Sequence, residues 1–259
     1  MENIIVSGCS WTDKYFTSVI CPEYNCDYKK WPEYINIDCN INNIGSSGWG
    51  NAQIIQSVLK EIALNNNVDR VVIALSNWYR FSVPTNNCGE FGYNINPYLV
   101  DSNKRHKLQL HHSKQKALQS LNKNIKVCEY LEIDIINPNV CRYIVNQTML
   151  NIWILYEICK SKNIKLHIFQ LLNCSSYQKL SQECLAKEIL INPIFKKLDG
   201  ISNIDLIGWP FLENLGGTSV EYMILPKQDG KYKISPEDGH PNEYGHKLIG
   251  EWFNENAKI

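Results

Sequence analysis

The stretch IIVSGCSWTDKY, Ile4 to Tyr15, opens as a buried strand and ends among polar residues. Ile4, Ile5 and Val6 make a β-branched run, Gly8 permits a sharp exit, and Cys9 and Ser10 stand where the strand gives way. SWTD has the form of a capping box, with Ser10 as N-cap and Asp13 three residues on, so a helix is expected to begin at Ser10. Ser10 is then a cap for that helix, or a nucleophile presented at the edge of a sheet. A capping serine can still project its hydroxyl, so the two roles are compatible.

Working outward, short apolar runs alternate with longer segments of helical period, the pattern of a parallel sheet with crossover helices. Strands are expected over Asn3 to Gly8, Cys39 to Gly45, Asp69 to Ser76, IKLHIFQLL from Ile164, and NIDLIGW near Ile204. Helices are expected in NAQIIQSVLKEIAL, with Ile54, Ile55, Val58, Leu59 and Ile62 on one face, and in QTMLNIWILYEICKSKN. A last helix follows PNEYGHKLIGEWFNENA, with Tyr244, Leu248, Ile249 and Trp252 on one face. The region from Ser82 to Pro138 breaks the pattern. It is rich in Asn, Gly and Pro, then basic, with a helix expected near Lys114 to Tyr130, and its length suits a lid or substrate loop.

The 259 residues fit one α/β domain, 1–259, with the insertion at about 82–138. With 26 basic and 26 acidic side chains the formal charge is zero, which argues against nucleic acid and anionic membranes as partners. No run approaches the roughly 20 apolar residues of a membrane span, and the N-terminus lacks the pattern of a signal peptide, so a cytoplasmic protein is expected. The ten cysteines are scattered with no C-x-x-C, and read as reduced, buried side chains. His106, His111 and His112 lie in a basic run without acidic or cysteine ligands, so no metal is expected there.

In doubly wound sheets, ligands bind beyond the carboxyl ends of the strands. Ser10 falls there, as do NNIGSSGWGN after the second strand and SNWYR after the third, while PEDGHPN precedes the last helix. Serine, glycine, asparagine and an Asp/His pair thus come in order along nearly the whole chain. This ordered set resembles the SGNH (GDSL-type) hydrolase family, and most of all the branch whose first block reads G-C-S-[FW]-T. The resemblance implies a flavodoxin-like, three-layer α/β/α fold with a five-stranded parallel sheet. It implies Ser10 as nucleophile, His240 as general base and Asp238 as its orienting partner. The oxyanion hole would be formed by Ser10, Gly48 (or Gly45) and Asn77.

The chain departs from the family pattern in three places. Cys9 replaces the block-one Asp, ALSNWYRF lacks the Gly and Asp around Asn77, and Asp238 lies two residues before His240 where most members have three, a position held here by Glu237. Independently of the family, a serine hydroxyl needs a base, and the base needs a third group to fix its tautomer. DGHP supplies both, since side chains two apart lie on the same side of an extended chain. Cys9 is a rival nucleophile if it stands at a helix N-terminus. Asn77 could instead serve the local backbone, and Arg80 could grip an anionic group on a substrate or form a surface ion pair.

The function expected from these residues is an ester hydrolase acting on an O-acyl group of a carbohydrate or other polar small molecule. It requires neither cofactor nor metal. An O-acyltransferase of the same fold and a catalytically silent binding module are the alternatives. Nothing in the sequence indicates an oligomeric state.

Overall fold

The protein is described by a computed structural model over residues 1–83, 93–95, 126, 136–174, 179–201, 203–224 and 230–258. Its centre is a parallel five-stranded sheet of β1 (Glu2–Ser7), β2 (Cys39–Asn43), β3 (Arg70–Leu75), β6 (Lys165–Gln170) and β7 (Ile204–Ile207), in the order β2-β1-β3-β6-β7. The two short strands β4 (Phe81–Val83) and β5 (Tyr93–Ile95) pair antiparallel as a separate hairpin. All five sheet strands fall where the apolar runs predict them, within one or two residues.

Alternation along the strands divides the core in two. Ile5, Val71, Ile73 and Leu75 face one side, where they meet Ile54, Ile55, Val58 and Ile62 of α1 (Asn51–Leu64) and Val145, Met149, Ile152 and Leu155 of α2 (Pro138–Ser161). Beyond them pack Leu185 and Ile189 of α3 (Lys179–Ile191) and Leu198 of α4 (Pro193–Leu198). Ile4, Val6, Val72, Ala74 and Phe169 face the other side, against Trp31, Ile35 and the residues Ile249 and Phe253 of α6 (Glu243–Asn256). A short helix, α5 (Val220–Ile224), adds Val220 to that second core. The result is the expected three-layer α/β/α sandwich.

The helix expected at Ser10 is absent. Residues 8–38 cross from β1 to β2 through turns, with one 3₁₀ turn at Trp31–Tyr34. The polar side chains that would cap and solvate such a helix are used across the fold. Asp13 Oδ2 accepts the Ser47 N–H at 2.9 Å and its hydroxyl at 2.6 Å, while Asp13 Oδ1 accepts the Tyr15 N–H at 2.9 Å. Side chains that bond elsewhere withdraw support from a helix. Ser10 therefore has no helix dipole behind it.

On the last helix three of the four residues expected on the buried face pack against the core, Ile249 fully and Leu248 and Trp252 in part, while Tyr244 does not. Tyr244 is 66% exposed, and the buried stripe is Gly245, His246, Ile249, Gly250 and Phe253. Gly250 is needed there, because a Cβ would lie 2.5 Å from Cβ of Tyr34 and 3.0 Å from the Trp31 carbonyl oxygen. Helices α3 and α4 were not expected from the sequence. The insertion's predicted helix near Lys114 to Tyr130 lies outside the described residues except for Lys126, as do His106, His111 and His112. Eight cysteines among the described residues are free thiols, and burial pushes those of Cys159 and Cys141 up to about 12, as expected for inert core side chains.

Candidate active site

Because β1 lies between β2 and β3, the loops that leave their carboxyl ends are neighbours. Thr12 locks the first two together. A Cβ on Gly8 would lie 2.1 Å from Thr12 Oγ1, and one on Gly45 would lie 2.8 Å from Thr12 Cγ2, so only glycines allow this approach. Thr12 Oγ1 accepts from Trp31 Nε1 at 3.1 Å, and the Thr12 carbonyl accepts from Asn43 Nδ2 at 2.7 Å. Thr12 and Asp13 N–H groups close back on the Cys9 carbonyl at 2.8 and 3.1 Å, which fixes the tight turn carrying Ser10.

Ser10 is 8% exposed, and its Oγ lies 2.9 Å from Nε2 of His240. The other imidazole nitrogen, Nδ1, lies 2.5 Å from Oδ1 of Asp238, whose carboxylate is 1% exposed. A carboxylate only accepts, so Nδ1 carries the proton and Nε2 presents its lone pair to the Ser10 hydroxyl. Phe16 stacks on the imidazole with ring centroids 4.4 Å apart and 27° between planes. The Asp238 carboxyl is pushed up by burial, but hydrogen bonds from His240 and Ser18 and the charge of His240 outweigh this and hold it below the usual carboxylate value. Glu237, at the spacing most family members use, is exposed, and Asp238 makes the bond to the imidazole. Gly239 has no positive φ, and the His240 N–H donates back to Asp238 Oδ1 at 3.1 Å, a local turn that keeps the carboxylate beside the imidazole.

The resemblance names Ser10, Gly48 or Gly45, and Asn77 as oxyanion donors. The N–H groups of Ser10 and Gly48 have no acceptor among the described residues. Gly48 has φ of 84°, a left-handed conformation that favours glycine. Gly45 is excluded from that role, since its N–H is spent on Asn43 Oδ1 at 3.0 Å. Asn77 is held from both ends. Its Oδ1 accepts the Tyr79 N–H at 2.9 Å, and one Nδ2 hydrogen goes to the Asn173 carbonyl at 3.2 Å, which leaves the second hydrogen of the amide. The turn itself is braced by Asn51 Oδ1, which accepts from Ser76 N at 2.7 Å, and by Gln170 Nε2, which donates to the Ser76 carbonyl at 2.7 Å. Asn77 thus serves the local backbone and keeps a donor as well.

Cys9 belongs to the core: past the end of β1 it is fully buried with Ile4, Val6 and Trp11, on the face opposite Ile5 and Ser7, where the strand's own alternation no longer applies. The backbone of Arg80 backs onto Gly50, and no described bond joins Arg80 to Ser10 or His240. A second imidazole–carboxylate pair, His167 Nδ1 to Asp205 Oδ2 at 2.8 Å, is not a rival base, because its Nε2 faces Arg70 Nη1 at 2.6 Å. His246 is structural: burial, then the charges of Lys30 and His240, drive its pKa well below the ordinary value, and its neutral Nδ1 accepts the Trp31 N–H at 3.2 Å. Among the described residues no cluster of three His, Cys, Asp or Glu could hold a metal, and no helix is long and apolar enough to cross a membrane.

Thr12, Phe16 and Ser18 are the site residues that sequence reasoning missed. Thr12 had a signal, since it closes the G-C-S-W-T block. Phe16 and Ser18 lie in a stretch with no recognisable pattern.

No protein-family model matches the chain, and no curated protein does. Among solved structures it is similar to the lipase Lip_vut3 from a goat rumen metagenome, at 13% identity and a TM-score of 0.52, over 98% of this chain and 97% of that one. Two further structures are the esterase EstA from Pseudoalteromonas sp. (11% identity, TM-score 0.47, 99% and 96% covered) and a protein ascribed to the G-D-S-L lipolytic family from Desulfitobacterium hafniense (13%, 0.46, 98% and 99%). The likeness to the lipase, with the sheet order and helix layers described above, gives the chain the fold of that lipase, a three-layer α/β/α sandwich around a five-stranded parallel sheet.

Proposed function

We propose that the protein is an SGNH-type serine ester hydrolase, with Ser10, His240 and Asp238 as its triad. The observation that carries this reading is the continuous relay Ser10 Oγ–His240 Nε2 and His240 Nδ1–Asp238 Oδ1, at 2.9 and 2.5 Å. Ser10 Oγ attacks the ester carbonyl carbon as Nε2 takes its proton, and the carbonyl π electrons move to oxygen. The N–H groups of Ser10 and Gly48 and the second Asn77 amide hydrogen receive that oxyanion. Collapse expels the alkoxide, which takes the proton back from Nε2, and leaves an acyl-Ser10. Water then attacks with His240 again as base, releasing the acid and restoring the hydroxyl.

The substrate we propose is an O-acyl ester of a carbohydrate or another polar small molecule. What supports a small ester is the resemblance of the site blocks to the SGNH family; the nearby cleft of about 240 Å³ along Asn173, Gln182, Glu213, Asn214 and Thr218 is not lined by Ser10 or His240. The 82–138 insertion is proposed as lid or substrate loop, and Arg80, at its root, as a contact for a charged substrate group.

A fluorophosphonate probe tests the enzyme reading directly. The expected result is one covalent adduct, mapped by mass spectrometry to Ser10 and absent in Ser10→Ala. No adduct at any pH would leave the fold as a binding module. Asn77→Ala is expected to lower kcat by about 10²–10³, the usual cost of one oxyanion donor, with the melting temperature checked in parallel. A loss below tenfold would assign Asn77 to the backbone alone.

A further inference from the structure

We propose that Ser18 is a positioning residue for the orienting carboxylate: its hydroxyl holds Oδ2 of Asp238 so that Oδ1 stays aimed at the imidazole. The inference rests on the triad reading and adds a member that neither the sequence blocks nor the spacing indicates. Ser18 is 4% exposed and lies in the turn-rich crossover from β1 to β2, 220 residues from Asp238. Its Oγ accepts the Cys21 N–H at 2.7 Å and donates to Asp238 Oδ2. Because an ionised carboxylate oxygen can only accept, the proton of that contact is the Ser18 hydroxyl's, directed at Oδ2.

Five described bonds on Asp238 divide its labour, one of them the Asp238 carbonyl accepting the Ser235 N–H at 3.4 Å. Oδ1 accepts both the imidazole Nδ1–H at 2.5 Å and the His240 backbone N–H at 3.1 Å. Oδ2 accepts from Ser18, and the Asp238 backbone N–H donates to Ser235 Oγ at 3.0 Å. Cys21 Sγ lies 3.3 Å from that same Ser235 hydroxyl, so residues 18–21 and 235–240 clasp each other at two points. At 1% exposure the Asp238 carboxylate has little access to water that could replace a lost donor. Without Ser18, nothing described on the Oδ2 side opposes rotation of the carboxylate away from the base. The other titratable groups around the pair are Tyr28, whose hydroxyl donates to the Pro241 carbonyl at 3.0 Å, and Lys30 and His246 beyond it. None of them donates a described bond to the carboxylate.

The test compares Ser18→Ala, Ser18→Cys and Ser18→Thr by kcat and KM for a 4-nitrophenyl ester across pH, with histidine-ring NMR on the same proteins. Ser18→Ala is expected to lower kcat about tenfold, at the low end of the value of a hydrogen bond to a charged acceptor, with KM nearly unchanged. Its acid limb should move to lower pH, because a carboxylate free to turn away from Nδ1 holds the imidazolium less strongly. Ser18→Cys keeps the volume with a weak donor and should behave like Ser18→Ala; Ser18→Thr keeps the donor and should restore both readouts. If Ser18→Ala does not fold, the Cys and Thr pair decides. Wild-type kcat and acid limb in the Ala and Cys variants would overturn the proposal, and so would lost activity with an unmoved limb that threonine does not restore. NMR of the His240 ring reads the same shift without substrate, so a protein that cleaves no ester at all would defeat the triad reading while the role of Ser18 is still decided.

Discussion

Ser10→Ala is expected to abolish hydrolysis of a small activated ester, with kcat down by about 10⁴–10⁶, while the protein stays folded. The magnitude follows from losing the nucleophile outright, since what survives is only substrate binding and the oxyanion donors. The fold should persist because the Ser10 hydroxyl has one described partner, His240 Nε2, on a side chain that is 29% exposed and can turn to water. The tight turn is held by other atoms, the Cys9 carbonyl and the Thr12 side chain, which the substitution leaves alone. Hydrolysis of 4-nitrophenyl acetate with a thermal melt of each variant measures both halves. Retained activity in Ser10→Ala together with loss in Cys9→Ala would transfer the chemistry to the thiol, against its complete burial among Ile4, Val6 and Trp11.

The parts of this molecule that could be read from the sequence are those whose cause is local. IIV, RVVIAL and KLHIFQ are β-branched or apolar runs short enough to be strands and too apolar to lie outside, and they are β1, β3 and β6. Asp238 and His240 are legible because they stand two residues apart, where a short local turn lets the carboxylate reach both the imidazole and the His240 N–H. What could not be read depends on partners far along the chain. Asp13 looks like the acidic member of a capping box, yet its carboxylate is taken by Ser47 on the second loop, and the expected helix does not form. Ser18 meets Asp238, and Phe16 stacks on His240, across more than two hundred residues. On α6 the apolar spacing points to Tyr244, but the close approach of Gly245 and Gly250 to residues 31–34 and 232 sets the buried face. Sequence period reports which side chains avoid water; it does not report which backbone must come closest.

Asp238→Asn is expected to lower kcat by about 10⁴ with little change in fold, and Glu237→Gln to be nearly silent. Asparagine keeps the shape of the side chain but can turn an N–H toward Nδ1. The imidazole must then carry its proton on Nε2, where it cannot accept the one leaving Ser10. Glu237 is exposed and one residue further from the histidine, whereas Asp238 is buried, bonded through both oxygens and held ionised below the usual carboxylate value. A shorter side chain also loses less rotamer freedom in holding an imidazole. The sign of the pH effect follows. A folded-state pKa below the unfolded value of about 3.9 means that Asp238 contributes stability above that value, and the contribution is lost as pH falls through the folded pKa. At neutral pH the carboxylate is ionised throughout turnover, so Asp238→Asn should depress kcat across the neutral and alkaline range and should remove part of the acid sensitivity of the melting temperature. Reversed results, a crippled Glu237→Gln and an active Asp238→Asn, would give the orienting role to the residue at the family's usual spacing. If neither substitution matters, Ser10 and His240 act as a dyad, and the 2.5 Å bond to Asp238 is only a structural contact.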